Sequence, residues 1–198
     1  MRKELIVLAI LLSGIFVFTM PISGIAAIKN LVANPDFAKD ITGWSISADL
    51  ATLTIDKNEK VANGSAVLAD VTKVGANAWE PEIHYAQIDL TNGKKYTLSF
   101  QAKADKARPI GAKFEQNTTW GGPSQDFNLT TSWAEYHFTP TMDIGSPPEF
   151  FIHIQFNGQT GKVWFSHFLV YEGDFVAEPL TSVTPIGRLA TAWAEIKK

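Results

Sequence analysis

The sequence predicts an all-β domain built as a sandwich of antiparallel strands. Between residues 30 and 172, short runs of alternating apolar and polar residues follow one another, and almost nothing repeats with helical period. Turn residues separate these runs at intervals typical of a sandwich or barrel. The hydrophobic content of 45% suits one sizeable core.

The segment before this domain predicts export. Arg2 and Lys3 precede an apolar run over residues 5–18, and small residues around Ala26 follow, which is typical of a secretory signal peptide. The run is shorter than the roughly 20 residues that a membrane span requires. We therefore expect a signal peptide at residues 1–26 and a secreted protein, extracellular or periplasmic, with no membrane attachment after cleavage. An uncleaved membrane anchor is the alternative.

Nine strands are predicted within the domain, and turn chemistry separates them. Asn63-Gly64 lies between the first two strands, Asn92-Gly93 between the third and fourth, and Gly121-Gly122-Pro123 between the fifth and sixth. A proline-rich stretch over 143–148 precedes the eighth strand, and Asn157-Gly158 follows it. In chain order the predicted strands are 51–56, 65–70, 83–90, 95–102, 110–115, 125–129, 134–139, 150–156 and 162–171.

Aromatic residues supply much of the predicted core. In the fourth strand Tyr96 and Phe100 alternate with the polar Thr97 and Gln101, so one face is expected to be buried. The residues expected to fill the sandwich are Trp44, Tyr96, Phe100, Trp133, Phe138, Trp164 and Phe168.

The last segment has a different pattern. The predicted module covers residues 27–175, and a tail covers 176–198. In this tail Leu189, Trp193 and Ile196 recur with helical spacing, which predicts a short amphipathic helix. A helix this short is marginal alone, so it either packs on the same domain or binds a protein partner.

Polar side chains on the other strand faces indicate a ligand-binding surface. Lys113, Glu115 and Asn117 share one side of their strand segment, as do His153 and Gln155, while Tyr85 and Gln87 are expected to point outward from the third strand. Amides and hydroxyls offer both donors and acceptors, which suits a ligand rich in hydroxyl groups. Three aromatic residues at loop and strand junctions are candidates for stacking on a sugar ring, namely Trp79, Tyr85 and Trp120. A merely solvated outer face is the alternative.

Several function classes find no support. The chain has no cysteine, which excludes thiol chemistry. Its formal charge is −3 and its sequence shows no basic stripe, so a nucleic-acid partner is not expected. The histidines at 84, 137, 153 and 167 show no metal-ligand spacing in sequence, so no metal site is predicted from them. A glycosidase would need a pair of carboxyl groups, and the only candidate pair is Glu115 with Glu80 or Glu82. Glu80 and Glu82 are expected to be solvated loop acids near the rim of the surface.

Four segments, in order, resemble one family of binding modules. They are "NLVANPDFAKDITGW" (30–44), "WEPEIHYAQIDLTNGKKYTLSFQAKAD" (79–105), "TTSWAEYHFT" (130–139) and "GKVWFSHFLVYEG" (161–173). The chain resembles the cellulose- and xylan-binding modules of families 4, 9 and 22. The resemblance implies a galactose-binding-like jelly-roll β-sandwich, with a concave cleft for a polysaccharide or glycan chain and no catalysis, usually attached to a glycoside hydrolase. The cleft would be lined by Trp79, Gln87, Gln101, Lys113, Glu115, Asn117 and Gln155.

Two departures from the family concern calcium. The family usually has Glu where this chain has Ala38, and Asp where it has Ser166, and those carboxylates are associated with a structural calcium site. A hard cation needs six to eight oxygen ligands, so we expect no cofactor and no calcium here. His167 is expected to be a buried, satisfied histidine. The leading expectation is a secreted, non-catalytic carbohydrate-binding module; the alternatives are an adhesive or structural β-sandwich that binds proteins, and a small glycoside hydrolase.

Overall fold

A computed structural model describes residues 28–177, except 48, 60, 62–63, 78 and 144–149, and leaves the side chains of residues 86 and 87 undescribed. The predicted signal segment and the predicted helix around Trp193 therefore lie outside the described residues. In the part of the chain that is described, no helix has the length and apolar character needed to cross a membrane.

Ten strands form two five-stranded antiparallel sheets in the described region, which confirms the predicted all-β sandwich. Sheet I has the order β1-β4-β9-β6-β7, and sheet II has the order β2-β3-β10-β5-β8. The nine predicted strands all form, with ends displaced by no more than two residues, whereas the three-residue β1 was not predicted. The strands are β1 (Trp44–Ile46), β2 (Ala51–Asp56), β3 (Ala66–Val71), β4 (Glu82–Ile88), β5 (Tyr96–Ala104), β6 (Arg108–Gln116), β7 (Ser124–Leu129), β8 (Ala134–Phe138), β9 (Phe150–Gln155) and β10 (Gly161–Glu172).

The core lies between the inner faces of the two sheets. Alternate residues of β5, including Leu98 and Phe100, are fully buried, and so are Phe114 of β6 and Ile154 of β9. Each such side chain contributes roughly 1.5–3 kcal/mol by leaving water, so the sandwich needs no disulfide. The predicted core positions of Trp44, Tyr96, Phe100, Phe138 and Phe168 are confirmed.

Two predicted core residues lie elsewhere. Trp133 and Trp164 are half-buried on the outer face of sheet II, where the Lys103 ammonium lies 5.7 Å and 4.7 Å from their ring centroids. The Trp164 indole Nε1 donates a hydrogen bond to Asp56 Oδ2 at 2.9 Å. The prediction was wrong for these two tryptophans because an indole can also cover a sheet from outside, where the Lys103 ammonium lies over both rings and a carboxylate accepts from the Trp164 indole.

An irregularity in β4 decides which of its side chains face outward. Tyr85 pairs with Ile152 and Ile88 pairs with Phe150, so three steps along β4 match two steps along β9, which is a β-bulge. Ile83, Tyr85 and Ile88 all face the core as a result, with exposures of 1%, 5% and 6%. Glu82 and His84 therefore take the outward positions at the start of the strand.

Candidate functional site

A groove with a volume of about 540 Å³ crosses the outer face of sheet I. Its floor comes from the three central strands β4, β9 and β6, and its walls come from the loops before β4 and after β6. The lining residues are Trp79, Glu82, His84, Lys113, Glu115, Trp120, His153 and Gln155.

Strand register arranges the groove floor in rows. Glu82 pairs with Gln155, which also pairs with Gly111 on the other side. In the next row His153 lies between His84 and Lys113. Side chains in paired positions point to the same face, so these rows bring polar groups from distant parts of the chain together.

Glu82 is the most heavily bonded side chain of the floor. Its Oε1 lies 3.0 Å from His84 Nε2, and its Oε2 accepts a hydrogen bond from Gln155 Nε2 at 3.1 Å. Burial raises the pKa of Glu82, but contacts with His153, His84 and Gln155 outweigh burial and lower the pKa to about 2. Glu82 is therefore a permanent anion at the bottom of the groove, although it is only 6% exposed.

A second carboxylate, Glu115, is linked through Lys113 to the loop that forms one wall of the groove. Lys113 Nζ lies 2.5 Å from Glu115 Oε2 and donates to the backbone carbonyl of Trp120 at 2.7 Å. The loop that carries Trp120 is tightly turned: Trp120 has a φ of 57°, and a Cβ on Gly122 would lie 1.7 Å from the Phe114 carbonyl oxygen. The close approach of Gly122 to the Phe114 carbonyl leaves no room for a larger residue in this loop, which carries the Trp120 indole at the edge of the groove.

The two groove tryptophans are the most exposed aromatic side chains of the described residues. Trp120 is 66% exposed and Trp79 is 46% exposed. Trp79 precedes β4 and Trp120 follows β6, and these strands run in the same direction on either side of β9. The indoles therefore flank the groove from opposite ends, with ring surface available to a ligand.

The structure brings five of the nine predicted site residues together, because Trp79, Lys113, Glu115, Trp120 and Gln155 all line the groove. Gln87 lies in β4, but its side chain is outside the described residues. Asn117 follows the end of β6, is half-buried, and does not line the groove, so its predicted position was wrong.

Two further predicted positions are corrected by the fold. Gln101 belongs to β5 in sheet II, where it pairs with Ser166 and Glu135, so it lies on the opposite side of the sandwich. Tyr85 is 5% exposed, its ring contacts Trp44 at 4.7 Å between centroids, and its hydroxyl accepts a hydrogen bond from Ala33 N. The Tyr85 ring is part of the core and offers no surface for stacking.

Three groove residues were not predicted as binding residues. Glu82 was expected to be a solvated loop acid, but it is a buried floor residue. His84 and His153 have no telling spacing in sequence, yet they pair directly across β4 and β9. The alternation of β9 predicts that His153 points outward together with Gln155. The β4 bulge breaks the alternation of that strand, so the sequence does not predict the outward positions of Glu82 and His84.

Ser166 and its neighbour His167, which lie where the resemblance implies a calcium ligand, both contact other residues of the protein. Ser166 is fully buried, and its hydroxyl donates to the Ser65 carbonyl at 2.9 Å. The neighbouring His167 Nδ1 lies 2.7 Å from Asp36 Oδ1, so this half-buried histidine has a partner as predicted. Both side chains therefore have protein partners, and the Ala38 side chain contributes no oxygen ligand.

Comparison with known proteins shows the family of this chain. Residues 29–160 match a family model described as a carbohydrate-binding domain. A solved CBM4 structure is similar with 25% identity and a TM-score of 0.60, covering 72% of this chain and 99% of the other.

Two more distant structures share the fold. For the second N-terminal cellulose-binding domain of β-1,4-glucanase C from Cellulomonas fimi, identity is 16%, the TM-score is 0.58, and coverage is 76% of this chain and 99% of the other. For TmCBM61, solved with β-1,4-galactotriose, identity is 15%, the TM-score is 0.54, and coverage is 73% and 99%. None of the curated proteins searched matches the chain. Because the family model spans well over half of the sequence, this chain belongs to the carbohydrate-binding domain family.

Proposed function

We propose that this protein is a secreted, non-catalytic module that binds a glycan chain in the groove of sheet I. The observation that carries this proposal is the pair of exposed indoles, Trp79 and Trp120, at either end of a floor of hydrogen-bonding groups. An indole ring can cover the apolar face of a sugar, and the carboxylate and amide groups below can bond its hydroxyls. The apolar N-terminal segment supports export, and the protein would act outside the cytoplasm.

The charge of the floor favours a neutral glycan. Glu82 stays ionised at every physiological pH, and the Lys113 ammonium is already held by Glu115 and the Trp120 carbonyl. An acidic sugar would bring its carboxylate toward this fixed anion without a free cation to receive it. Relatives described as cellulose-binding or solved with β-1,4-galactotriose support neutral β-1,4-linked chains as the first probes.

The same carboxylates argue against hydrolysis. His153 Nδ1 lies 3.1 Å from Glu82 Oε2 and 3.6 Å from Glu115 Oε1, so two carboxyl groups do share the groove. A glycosidase needs one of its two carboxyl groups protonated as the general acid. With a pKa of about 2, Glu82 does not serve as that acid near neutral pH, and Glu115, the other carboxyl group that lines the groove, is already bonded to the Lys113 ammonium. We therefore propose binding without bond cleavage; release of shorter sugars that disappears in Glu115→Gln would contradict it.

Two subsidiary proposals concern ions and partners. The contacts around Ser166 and His167 support a module that holds no structural calcium. The tail beyond residue 177, in which apolar residues around Trp193 recur with helical spacing, would serve as the attachment to a protein partner.

Calorimetric titration of the purified protein tests the main proposal. The ligands are hexasaccharides of cellulose, xylan and mannan, a mixed-linkage glucan oligosaccharide, and oligogalacturonate as the acidic control. We expect saturable binding to at least one neutral chain, no binding to oligogalacturonate, and a loss of about tenfold or more in Trp79→Ala and in Trp120→Ala. Trp133→Ala on sheet II is the matched control and should bind normally. Absence of binding to every glycan would favour an adhesive or structural sandwich.

A further inference from the structure

Three metal-ligating groups converge on the groove floor. The donor atoms of Glu82, His84 and His153 all lie within 4.8 Å of one another. Glu82 Oε1 is 3.0 Å from His84 Nε2, and Glu82 Oε2 is 3.1 Å from His153 Nδ1. Two ligands of one tetrahedral ion with bonds of about 2.0–2.2 Å lie roughly 3.3–3.6 Å apart, so each histidine nitrogen needs to move only a few tenths of an ångström from its carboxylate oxygen for an ion to fit between them.

His153 supplies a second observation that favours a ligand at this cluster. Its ring is only 3% exposed, and Nδ1 meets no acceptor in good hydrogen-bond geometry, despite its short distances to Glu82 and Glu115. A buried polar atom without an aligned partner is costly and uncommon. A cation between the imidazole nitrogen and the carboxylate would satisfy both groups.

The chemistry of the donors identifies the class of ion. Two imidazole nitrogens and one carboxylate suit a borderline transition metal, whereas calcium and magnesium prefer a shell made of oxygen. Three protein ligands leave a coordination position open toward the groove. Glu115 Oε1, 3.6 Å from His153 Nδ1, adds a further negative charge beside the cluster.

We propose that Glu82, His84 and His153 form a binding site for one divalent transition-metal ion, with Zn²⁺ as the representative ion. The two imidazole rings are now stacked, with centroids 4.3 Å apart and planes inclined by 17°. Because lone pairs lie in the ring planes, a shared ion requires one ring to turn. The His84 side chain is 39% exposed and can turn, whereas His153 at 4% is fixed by its surroundings.

Titration of Zn²⁺ into the metal-stripped, tag-free protein tests this site without any sugar. We expect one Zn²⁺ per chain by calorimetry and, with Co²⁺ as a spectroscopic substitute, the intense visible absorption of a four-coordinate site. His84→Ala should weaken Zn²⁺ binding by more than about tenfold, since even changes outside the ligand shell cost 10- to 100-fold. His84 is half-exposed, so this variant should keep its fold, which circular dichroism checks; Glu82→Gln provides a second ligand variant.

His137→Ala is the matched control, because His137 is exposed on β8 of sheet II and stacks on Phe175. This variant should bind Zn²⁺ like the unmodified protein. Stoichiometric binding that survives in both His84→Ala and Glu82→Gln would overturn the proposal, as would failure of the unmodified protein to bind Zn²⁺. Glycan binding is measured separately on metal-stripped protein, so failure of one proposal is distinguishable from failure of the other.

Discussion

The outer faces of the two sheets use their charged residues in different ways. On sheet II the groups are matched in local pairs: Lys103 with Glu59 at 2.6 Å, Ser99 with Glu135 at 3.1 Å, and the Trp164 indole with Asp56. On sheet I one carboxylate, Glu82, is shared by two histidines and an amide, and Lys113 joins Glu115 to a loop carbonyl.

This difference supports the proposal that ligands bind on sheet I. The tryptophans of sheet II lie flat against Lys103 and are half-buried, whereas those of sheet I are exposed at the ends of a groove. Local pairs leave little capacity for new bonds. A shared network under open indoles retains acceptors that a ligand can use.

The largest expected effect concerns the loop that follows β6 and carries Trp120. In Gly122→Ala the new Cβ would lie 1.7 Å from the Phe114 carbonyl at a φ of 152°, so overlap and backbone strain combine to about 4 kcal/mol of lost stability. Chemical denaturation measures this loss. Gly158→Ala is the control, with a positive φ of 64° but no atom within 4 Å, and should cost far less. Equal costs in the two variants would show that the Trp120 loop is not rigidly held.

The next effect concerns the pH dependence that Glu82 gives to sheet I. The pKa of Glu82 is lowered from 4.5 to about 2. The contribution of its ionised form to the stability of the fold is therefore complete above pH 4.5 and is lost as the pH falls toward 2. Across this pH interval we expect the free energy of unfolding of the unmodified protein to fall by on the order of 3 kcal/mol more than that of Glu82→Gln. Denaturation in chelator at several pH values measures the difference. Parallel curves for the two proteins would refute a shared anionic floor.

Substituting one lysine on each sheet tests which of the two sheets binds the glycan. Lys113→Met and Lys103→Met each leave a partly buried carboxylate without its ammonium, so each should cost about 2 kcal/mol in stability. Only Lys113→Met should also weaken glycan binding, by roughly tenfold, because the Trp120 carbonyl loses its tether. Glycan titration of both variants decides this. A similar loss in Lys103→Met would place the binding surface on sheet II.

The smallest expected effect is the response to calcium. Ser166 and His167 already bond Ser65 and Asp36, so millimolar Ca²⁺ added to metal-stripped protein should move the melting temperature by less than about 1 °C. Differential scanning calorimetry measures this shift. A rise of several degrees would reveal a calcium site that these contacts do not provide.

The sequence predicted best where strands are regular. Lys113, Glu115 and Gln155 were placed correctly because alternation runs unbroken through β6 and β9. Alternation does not reveal which sheet a strand joins, and so Gln101 was assigned to the wrong side of the sandwich. The short β1 offers too few residues for a periodic signal.

The errors at the groove have two physical sources. The β4 bulge changes the parity of the strand, so counting back from Ile88 placed Tyr85 outside when it lies in the core. The pairing of His84 with His153 depends on register between strands almost seventy residues apart, which spacing within the sequence cannot show. Long-range register therefore limited the prediction of the site more than residue chemistry did.

The β4 bulge also constrains how this domain can diverge. Straightening β4 at unchanged length, so that every residue between Tyr85 and Ile88 pairs in turn with β9, would exchange the two faces of the first half of the strand. The anion and the imidazole would then be forced into the sandwich, and two large apolar side chains would be turned into water. We therefore expect related domains either to keep this bulge or to lack one residue here, since both arrangements leave the anion and the imidazole on the outer face of the sheet.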